Sequence, residues 1–152
     1  DAVSATLPIN LLTITPRQSV VEQDQEYGAE LYARNPDLCC RLRKVEPLAE
    51  ALASYDAWAT GLRRAETRNR VIAPVIGWDA SKHKVKVSPL ARWSDAQVER
   101  YVAEHGVLVN PLTYDGYPSI GCQPCTRRVA PGEDPRSGRW AGTGKTECGI
   151  HR

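Results

Sequence analysis

The chain has 152 residues, of which 41% are hydrophobic and 25% charged, so one soluble globular domain with a real core is expected. Twenty basic and eighteen acidic residues leave a net charge of +2, which is too balanced to predict binding to nucleic acid or to a membrane. No apolar run approaches the roughly 20 residues of a membrane span, and nothing resembles a signal peptide. With five cysteines, these features predict a protein of the reducing cytoplasm.

Apolar periodicity predicts strands that alternate with helices. The apolar, β-branched run at residues 9–15 is typical of a buried strand. A polar helix is expected from about Gln18 to Ala33. Asn35, followed by proline, is typical of an N-cap, so the pair Cys39 and Cys40 should lie near the start of a new helix.

Pro47 is expected to end or kink that helix, before a second helical piece at residues 48–55. Three short runs then predict strands. They are Ala57–Thr60, Pro74–Trp78 and Lys84–Val87.

A later helix begins at Ser94, where Gln97 completes a capping box, and ends at Gly106. From Asn110 onward the chain is rich in Gly, Pro, Arg and Tyr and lacks periodicity, which is typical of a functional or disordered segment. The alternation of strands and helices predicts an α/β fold with a mostly parallel sheet flanked by helices.

Four of the five cysteines form two close pairs, Cys39-Cys40 and Cys122-Gln-Pro-Cys125. Four thiolates are the number that a tetrahedral zinc ion or an iron–sulfur cluster requires. Adjacent side chains on a helix diverge by about 100°, so the Cys-Cys pair suits the separate corners of a four-iron cluster better than one small ion. A structural zinc site and two unligated pairs are the alternatives.

The fifth cysteine, Cys148, precedes His151 by three residues on a segment that contains glycine. A cysteine there could reach a substrate and then a partner, which suits a nucleophile that is regenerated by thiol exchange. An incidental thiol at a frayed terminus and a solvated histidine are the alternatives.

Clustered arginines form a third group. A guanidinium matches two oxygens of a sulfate or phosphate, so several converging arginines would form an oxyanion pocket. Residues 1–38 carry 2 basic and 6 acidic groups, whereas residues 39–152 carry 18 and 12, so the later part should hold an anion. A solvated face is the alternative. The cations are Arg63, Arg64, Arg68, Arg70, Arg136 and Arg139, with Arg41, Arg43 and Lys44 beside the cysteine pair.

These residues lie in motifs that closely resemble those of the assimilatory adenylylsulfate (APS) reductases, over nearly the whole chain. These are the sulfonucleotide reductases that carry an iron–sulfur cluster. Relatives that reduce the 3′-phosphorylated substrate (PAPS) typically lack both cysteine pairs, so the resemblance points to APS. The motifs are Cys39-Cys40-Arg-Leu-Arg-Lys44-Val, Thr60-Gly-Leu-Arg-Arg64, Asn110-Pro-Leu, Gly116-Tyr-Pro-Ser-Ile-Gly-Cys122-Gln-Pro-Cys125-Thr, Arg136-Ser-Gly-Arg139-Trp140 and Lys145-Thr-Glu-Cys148-Gly-Ile-His151.

The resemblance implies a role for each matched residue. Cys148 would attack the sulfur of APS, release AMP and form an S-sulfocysteine, from which thioredoxin or a similar dithiol would release sulfite. Arg70 is the loosest match, because Arg68 is two residues away. The implied ligands of a [4Fe–4S] cluster, which is not expected to pass electrons, are Cys39, Cys40, Cys122 and Cys125. The implied substrate-binding residues are Lys44, Arg70, Arg136, Arg139 and His151.

The resemblance further implies an adenine-nucleotide α-hydrolase-like fold and a cytoplasmic enzyme of sulfate assimilation. Family members carry an upstream nucleotide-binding half that this sequence lacks, so the chain is expected to be the C-terminal portion. We expect residues 1–129 to form the reductase domain with the cluster site, and residues 130–152 to form a mobile tail that carries Cys148. APS and thioredoxin are the expected partners, nucleic acid and membrane are not, and homo-oligomer formation is left open.

Two other functions compete with this interpretation. One is a PAPS reductase, and the other is a non-catalytic four-cysteine zinc-binding module whose arginines hold an anionic partner such as RNA. The Glu-Cys-Gly-Ile-His segment at residues 147–151 argues against the module, because a structural site has no use for a fifth cysteine.

Overall fold

A computed structural model describes residues 2–151, and the chain divides into two compact units. The first unit contains the residues up to Ala51 and those from Pro111 onward, and the second unit is Leu52–Asn110. The boundary predicted between residues 129 and 130 separates a folded domain from a mobile tail. It stays a prediction. The helices of the first unit are α1 (Ala2–Thr6), α2 (Val20–Tyr27), α3 (Leu31–Arg34), α4 (Pro36–Cys40) and α5 (Glu46–Ala51).

The helix that carries the cysteine pair begins as predicted. The Asn35 side chain accepts a hydrogen bond of 3.0 Å from the Leu38 N–H, and proline occupies the first helical position of α4. By contrast, the helix predicted from Gln18 to Ala33 is two shorter helices, because Gly28 adopts a φ of 81° and ends α2.

Pro47 does not end the helix that follows Cys40. The chain passes from α4 into a π-helical turn, Arg41–Val45, and continues as α5, in which Pro47 is buried. A proline ring clashes with the carbonyl group of the residue four positions before it. For Pro47 that residue is Arg43, which lies in the wider π-helical turn. That turn is therefore the irregularity that accommodates the proline.

The strand predicted at residues 9–15 is wrong. These residues form neither helix nor strand, and the side chains of Ile9, Leu12 and Ile14 are 52%, 61% and 52% exposed. A strand needs a neighbouring strand to satisfy its backbone groups. Within residues 2–151, the strands all belong to the second unit.

The second unit contains a three-stranded sheet, and the α/β class is confirmed. The strand order is β1-β3-β2, with β1 parallel and β2 antiparallel to β3. The sheet is mixed because only four residues join β2 to β3, a connection that allows antiparallel pairing alone. The strands are β1 (Ala57–Ala59), β2 (Ile76–Asp79) and β3 (Lys84–Val87).

The helix α6 (Asp95–His105) has the predicted termini. Ser94 and Gln97 form the capping box, and Gly106 ends the helix with a left-handed φ of 58°. From residue 111 the chain is mainly irregular, with two short 3-10 turns, Pro111–Thr113 and Gln123–Cys125. Across residues 2–151, no helix has the length and apolar character to cross a membrane.

Loss of the α6 cap should destabilise the second unit. Ser94→Ala removes the acceptor for the Gln97 N–H, which lies 3.2 Å away, so the free energy of unfolding should fall by about 1 kcal/mol. Urea denaturation followed by circular dichroism measures this loss. Ser94→Asp keeps a capping oxygen and should stay near wild type. An equal loss in both variants would contradict a capping role.

Candidate active site

The four predicted cluster ligands line one cavity in the first unit. Its volume is about 370 Å³, and all five cysteines of the chain are free thiols. Two segments supply the cysteines, namely α4 and the 3-10 turn. The predicted substrate residues Lys44 and Arg139 line the same cavity, together with Trp140.

The helical segment presents two cysteines and two cations to the cavity. Cys39 and Arg43 are four residues apart, as are Cys40 and Lys44, so each pair occupies one side of the helical run. Gln23 of α2, which is 4% exposed, hydrogen-bonds the Cys39 thiol and accepts a contact of 3.4 Å from Arg43. The buried amide therefore orients both side chains.

The turn that contains Cys122 and Cys125 is closed by local hydrogen bonds. The Cys125 N–H donates to the Cys122 carbonyl at 2.9 Å. The Thr126 hydroxyl donates to the same carbonyl at 2.9 Å and accepts from the Gly121 N–H at 3.1 Å. Thr126 thus fixes both ends of the turn and directs its two thiols to one side.

The Arg136-Ser-Gly-Arg139-Trp140 motif lies against this turn. The Trp140 N–H donates to the Cys125 carbonyl at 3.0 Å, and the Arg127 N–H donates to the Gly138 carbonyl at 2.9 Å. A Cβ atom on Gly138 would lie 2.4 Å from the Arg127 carbonyl oxygen. Glycine is required there because the two backbones approach too closely for a side chain.

The buried Trp140 ring contacts two cations, Arg139 and Lys145. It is 4% exposed and adopts a left-handed φ of 49°, which is costly for a bulky residue and persists only where packing imposes it. The Arg139 guanidinium lies 4.5 Å and the Lys145 ammonium 5.8 Å from the ring centroid. Both distances suit cation–π interactions.

Burial raises the pKa of three thiols that line the cavity. It is the largest cause for Cys39, Cys40 and Cys125, whereas Lys44 lowers the pKa of all three. Cys122 raises the pKa of Cys39 and Cys125, so negative charges would repel one another here. Four thiols with adjacent cations can hold a cofactor that binds thiolates.

The type and number of the donors suit a centre that takes four thiolates. Four cysteine thiols at one cavity match the number required by a tetrahedral zinc ion or by a four-iron cluster. In the arrangement seen across residues 2–151, no three His, Cys, Asp or Glu side chains form a group that could hold one metal ion.

Two predicted substrate residues converge on one hydroxyl group. Arg136 and Arg139 each donate to the Ser119 oxygen at 3.4 Å, and Arg139 also donates to the Ile120 carbonyl at 2.8 Å. The Arg139 Nε is buried and has no hydrogen-bond partner. Burial and the neighbouring Arg136 lower the pKa of Arg139, whereas Cys148 raises it.

Cys148 is half-buried and lies in the first unit. Its charge raises the pKa of Cys40 and that of Arg139. Glu147, the residue before it, lies 3.8 Å from Arg136. The segment before it is anchored by an ion pair between Lys145, whose side chain is 5% exposed, and Asp37 of α4. His151, the last predicted site residue, is half-buried.

Arg70 is the one predicted site residue in the second unit. Its side chain is 11% exposed and forms a close ion pair with Glu66. Arg63 approaches the same carboxylate at 3.9 Å. Glu66 therefore orients Arg70, and a role for Arg70 in substrate binding stays a prediction.

Sequence reasoning assigned no role to Gln23, Ser119 or Trp140. Gln23 is a buried polar residue on a helix expected to be solvated, and no sequence pattern signals that. Ser119 and Trp140 stand inside the motifs that carry the resemblance, which was the available signal.

Truncation of Trp140 should disrupt the wall of the cavity. Trp140→Ala removes a buried indole, so the free energy of unfolding should fall by about 3–5 kcal/mol. Trp78 is 63% exposed, so Trp78→Ala should change the free energy of unfolding by less than about 1 kcal/mol. Urea titrations followed by circular dichroism compare the two variants. Equal losses would show that Trp140 is not a packing residue.

This chain is similar to known proteins over almost its whole length. It is 63% identical over 151 residues to the adenosine 5′-phosphosulfate reductase of Streptomyces coelicolor, covering 99% of this chain and 64% of that protein. It is 54% identical to the Mycolicibacterium smegmatis reductase of the same name, with the same coverage, and 53% identical to that of Mycobacterium tuberculosis, covering 59% of its length. The chain thus spans about 64% or less of these relatives.

A solved structure and a family model agree with these matches. The crystal structure of a phosphoadenylyl-sulfate (PAPS) reductase from Candida auris, in a phosphate complex, aligns with a TM-score of 0.68 and 32% identity, covering 84% of this chain and 62% of that one. The fold expected from the resemblance is confirmed. The model of the phosphoadenosine phosphosulfate reductase domain matches residues 1–128, so the chain belongs to that family.

Proposed function

We propose that the protein that carries this chain reduces APS to sulfite and AMP, with Cys148 as the nucleophile. The observation that carries the proposal is that Arg136 and Arg139 converge on Ser119 beside the residue that precedes Cys148, since Glu147 Oε2 lies 3.8 Å from Arg136 Nη2. A thiolate nucleophile and guanidinium groups are what attack on the sulfate group of a phosphosulfate anhydride requires. The names of the relatives support APS as the substrate.

In the first step, the Cys148 thiolate forms a bond to the sulfur of the sulfate group. The bond from sulfur to the bridging oxygen breaks, and its electron pair leaves with the phosphate of AMP. In the second step, a thiolate of a dithiol such as thioredoxin attacks the Cys148 sulfur, and sulfite departs with the electron pair of the S–S bond. The second thiolate of the dithiol then attacks the resulting mixed disulfide and releases the Cys148 thiolate. The dithiol is thereby oxidised to a disulfide, so it supplies the two electrons.

The cations of the first unit offset charge repulsion in the first step. A thiolate and a sulfate are both negative, and the leaving phosphate gains charge as the bond breaks. Arg136, Arg139 and Lys44 are proposed to stabilise that charge, because fixed cations in a site with little water act strongly on a developing anion. We propose that His151 and Arg70 complete the substrate contacts.

Cys39, Cys40, Cys122 and Cys125 are proposed to hold a [4Fe–4S] cluster. Their thiols line one cavity, and their number matches the irons. When bound, the cluster would hold the helical segment and the 3-10 turn together. It is not proposed to carry electrons, because Cys148 and the dithiol account for both.

Residues 130–152 are proposed to act as a tail that moves during the cycle. Cys148 must meet the substrate in the first step and a protein dithiol in the second. The part of the tail up to Trp140 is fixed to the Cys122–Cys125 turn by backbone hydrogen bonds. Lys145 is held by its ion pair with Asp37, so movement is proposed for the part after Lys145.

Removal of the nucleophile should abolish sulfite formation. Cys148→Ser in the intact protein that carries this chain should bind APS normally and release no sulfite when thioredoxin is present. Mass spectrometry of the wild-type protein with APS alone should show one added SO3 group on Cys148. Binding of APS by the variant is the control for folding. Full sulfite production by Cys148→Ser would refute the mechanism.

Substrate choice distinguishes the proposal from the PAPS alternative, which the similarity to the Candida auris PAPS reductase favours. The ratio of sulfite formation with APS to that with PAPS, at equal concentration, should exceed one. A ratio below one would show that PAPS is the preferred substrate. The proposed chemistry of Cys148 would be unchanged.

Metal analysis tests the cluster. Anaerobically purified protein should contain about four iron and four acid-labile sulfide atoms per chain. Cys122→Ser should lose most of both, whereas Cys148→Ser should retain them. One zinc ion per chain with no sulfide would instead support a four-cysteine zinc module.

A further inference from the structure

Gln23 is a buried amide whose two ends contact different groups. Its side chain extends from α2 and lines the cysteine cavity, and the residue is 4% exposed. An amide at such a place needs an acceptor for its NH2 group and a donor for its oxygen, because unpaired polar groups are costly away from water. The structure gives Gln23 two side-chain partners, Arg43 and Cys39.

Arg43 determines which end of the amide faces the thiol. A guanidinium has donor groups and no acceptor, so the Gln23 oxygen is the end that lies 3.4 Å from Arg43 Nη1. The other end of the amide is the NH2 group, which donates. The contact between Gln23 and Cys39 is therefore an N–H···S hydrogen bond in which the sulfur accepts. A flipped amide would place its NH2 group against the guanidinium.

Arg43 is itself held in place by α2. The same Nη1 donates to the Gln18 carbonyl at 3.3 Å, directly before Ser19, which caps that helix. Arg43 and Cys39 are four residues apart on the helical run, so both lie on one side of it and both reach α2. Protein contacts at both ends thus fix the orientation of the amide.

The N–H donor favours the charged form of the Cys39 sulfur. Burial raises the pKa of Cys39, whereas the charge of Arg43 and the hydrogen bond from Gln23 lower it. A cysteine that ligates a metal is a thiolate. Hydrogen bonds to ligand sulfurs tune a cluster, and residues that orient the ligands strengthen metal binding. Gln23 is placed to do both for Cys39.

We propose that Gln23 is a positioning residue of the cluster site, whose amide N–H donates to the Cys39 thiolate that ligates iron while Arg43 holds the amide in that orientation. The inference rests on the proposed function, because Cys39 is one of the proposed ligands of the [4Fe–4S] cluster. Gln23 acts on the iron only through Cys39. Its contribution is a slower loss of the cluster.

Two substitutions separate the donor of Gln23 from its acceptor. Gln23→Glu keeps an oxygen that pairs with Arg43 and removes the N–H donor. Gln23→Met keeps the length of the side chain and removes both groups. The matched controls are Gln25→Glu and Gln25→Met, which change an exposed residue of the same helix. Gln23→Glu carries the test if Gln23→Met fails to fold.

Release of iron to an excess of chelator measures how firmly the cluster is held. In the intact protein, purified without oxygen, both Gln23 variants should release iron roughly tenfold faster than wild type, since loss of a residue that supports a metal ligand costs about 10–100-fold in affinity. The two Gln25 variants should match wild type. Wild-type kinetics in Gln23→Glu would show that Gln23 serves Arg43 alone, and would overturn the donor role.

Resonance Raman spectroscopy distinguishes a lost hydrogen bond from a loosened fold. A hydrogen bond draws electron density from the sulfur and weakens its bond to iron, so a terminal Fe–S stretching band should move to higher frequency in both Gln23 variants. The Gln25 variants should keep the wild-type frequency. A band that stays in place in Gln23→Glu would overturn the proposal.

The iron and sulfide contents of wild type separate this inference from the proposed function. Unchanged iron release in Gln23→Glu, from protein that contains its iron and sulfide, would overturn the role of Gln23 alone. A wild type without iron and sulfide would overturn the cluster and the role of Gln23 together. A wild type that holds the cluster and forms no sulfite would overturn the proposed reaction and leave the role of Gln23 standing.

Discussion

The backbone contact between the Cys122–Cys125 turn and the segment before Trp140 is the constraint on which the candidate site depends. The Trp140 N–H bonds the Cys125 carbonyl, and Gly138 passes against Arg127 too closely for any side chain. This contact places the indole in the cavity wall and Arg139 beside the thiols. Because Trp140 and Cys40 are also among the most buried apolar residues of the first unit, the site and the hydrophobic core of that unit are the same structure.

Because the site is built into the core of the first unit, its charges need compensation within the protein. A site in which Arg139 is half-buried and the Lys145 side chain is 5% exposed must compensate positive charge with limited help from water. Asp37 and Glu147 supply fixed negative charge, and the thiols can supply more only as thiolates, against a pKa that burial raises. A ligand that binds thiolates and a substrate that carries an oxyanion would each relieve the imbalance. The stability of this unit and its binding chemistry are thus linked.

Local patterns predicted the elements that local interactions determine. The Asn35 cap and the capping box at Ser94 depend on side chains within three residues, and both form. The strand at residues 9–15 failed because strand formation depends on a neighbour that residues 2–151 do not supply. In the site, the motifs identified residues by type, but the hydrogen bond from Gln23 to Cys39 and the convergence on Ser119 are long-range contacts. No periodicity or spacing encodes them.

The segment that carries Cys148 must satisfy two opposing requirements. In the proposed reaction, attack by the Cys148 thiolate near the half-buried Arg139 guanidinium needs a fixed position, whereas attack by a protein dithiol on the S-sulfocysteine needs exposure. Lys145 meets the first requirement, because its side chain is buried against Trp140 and paired with Asp37. Cys148 lies three residues after this anchor and is only half-buried. An anchor at this distance fixes where the segment begins without enclosing the thiol itself.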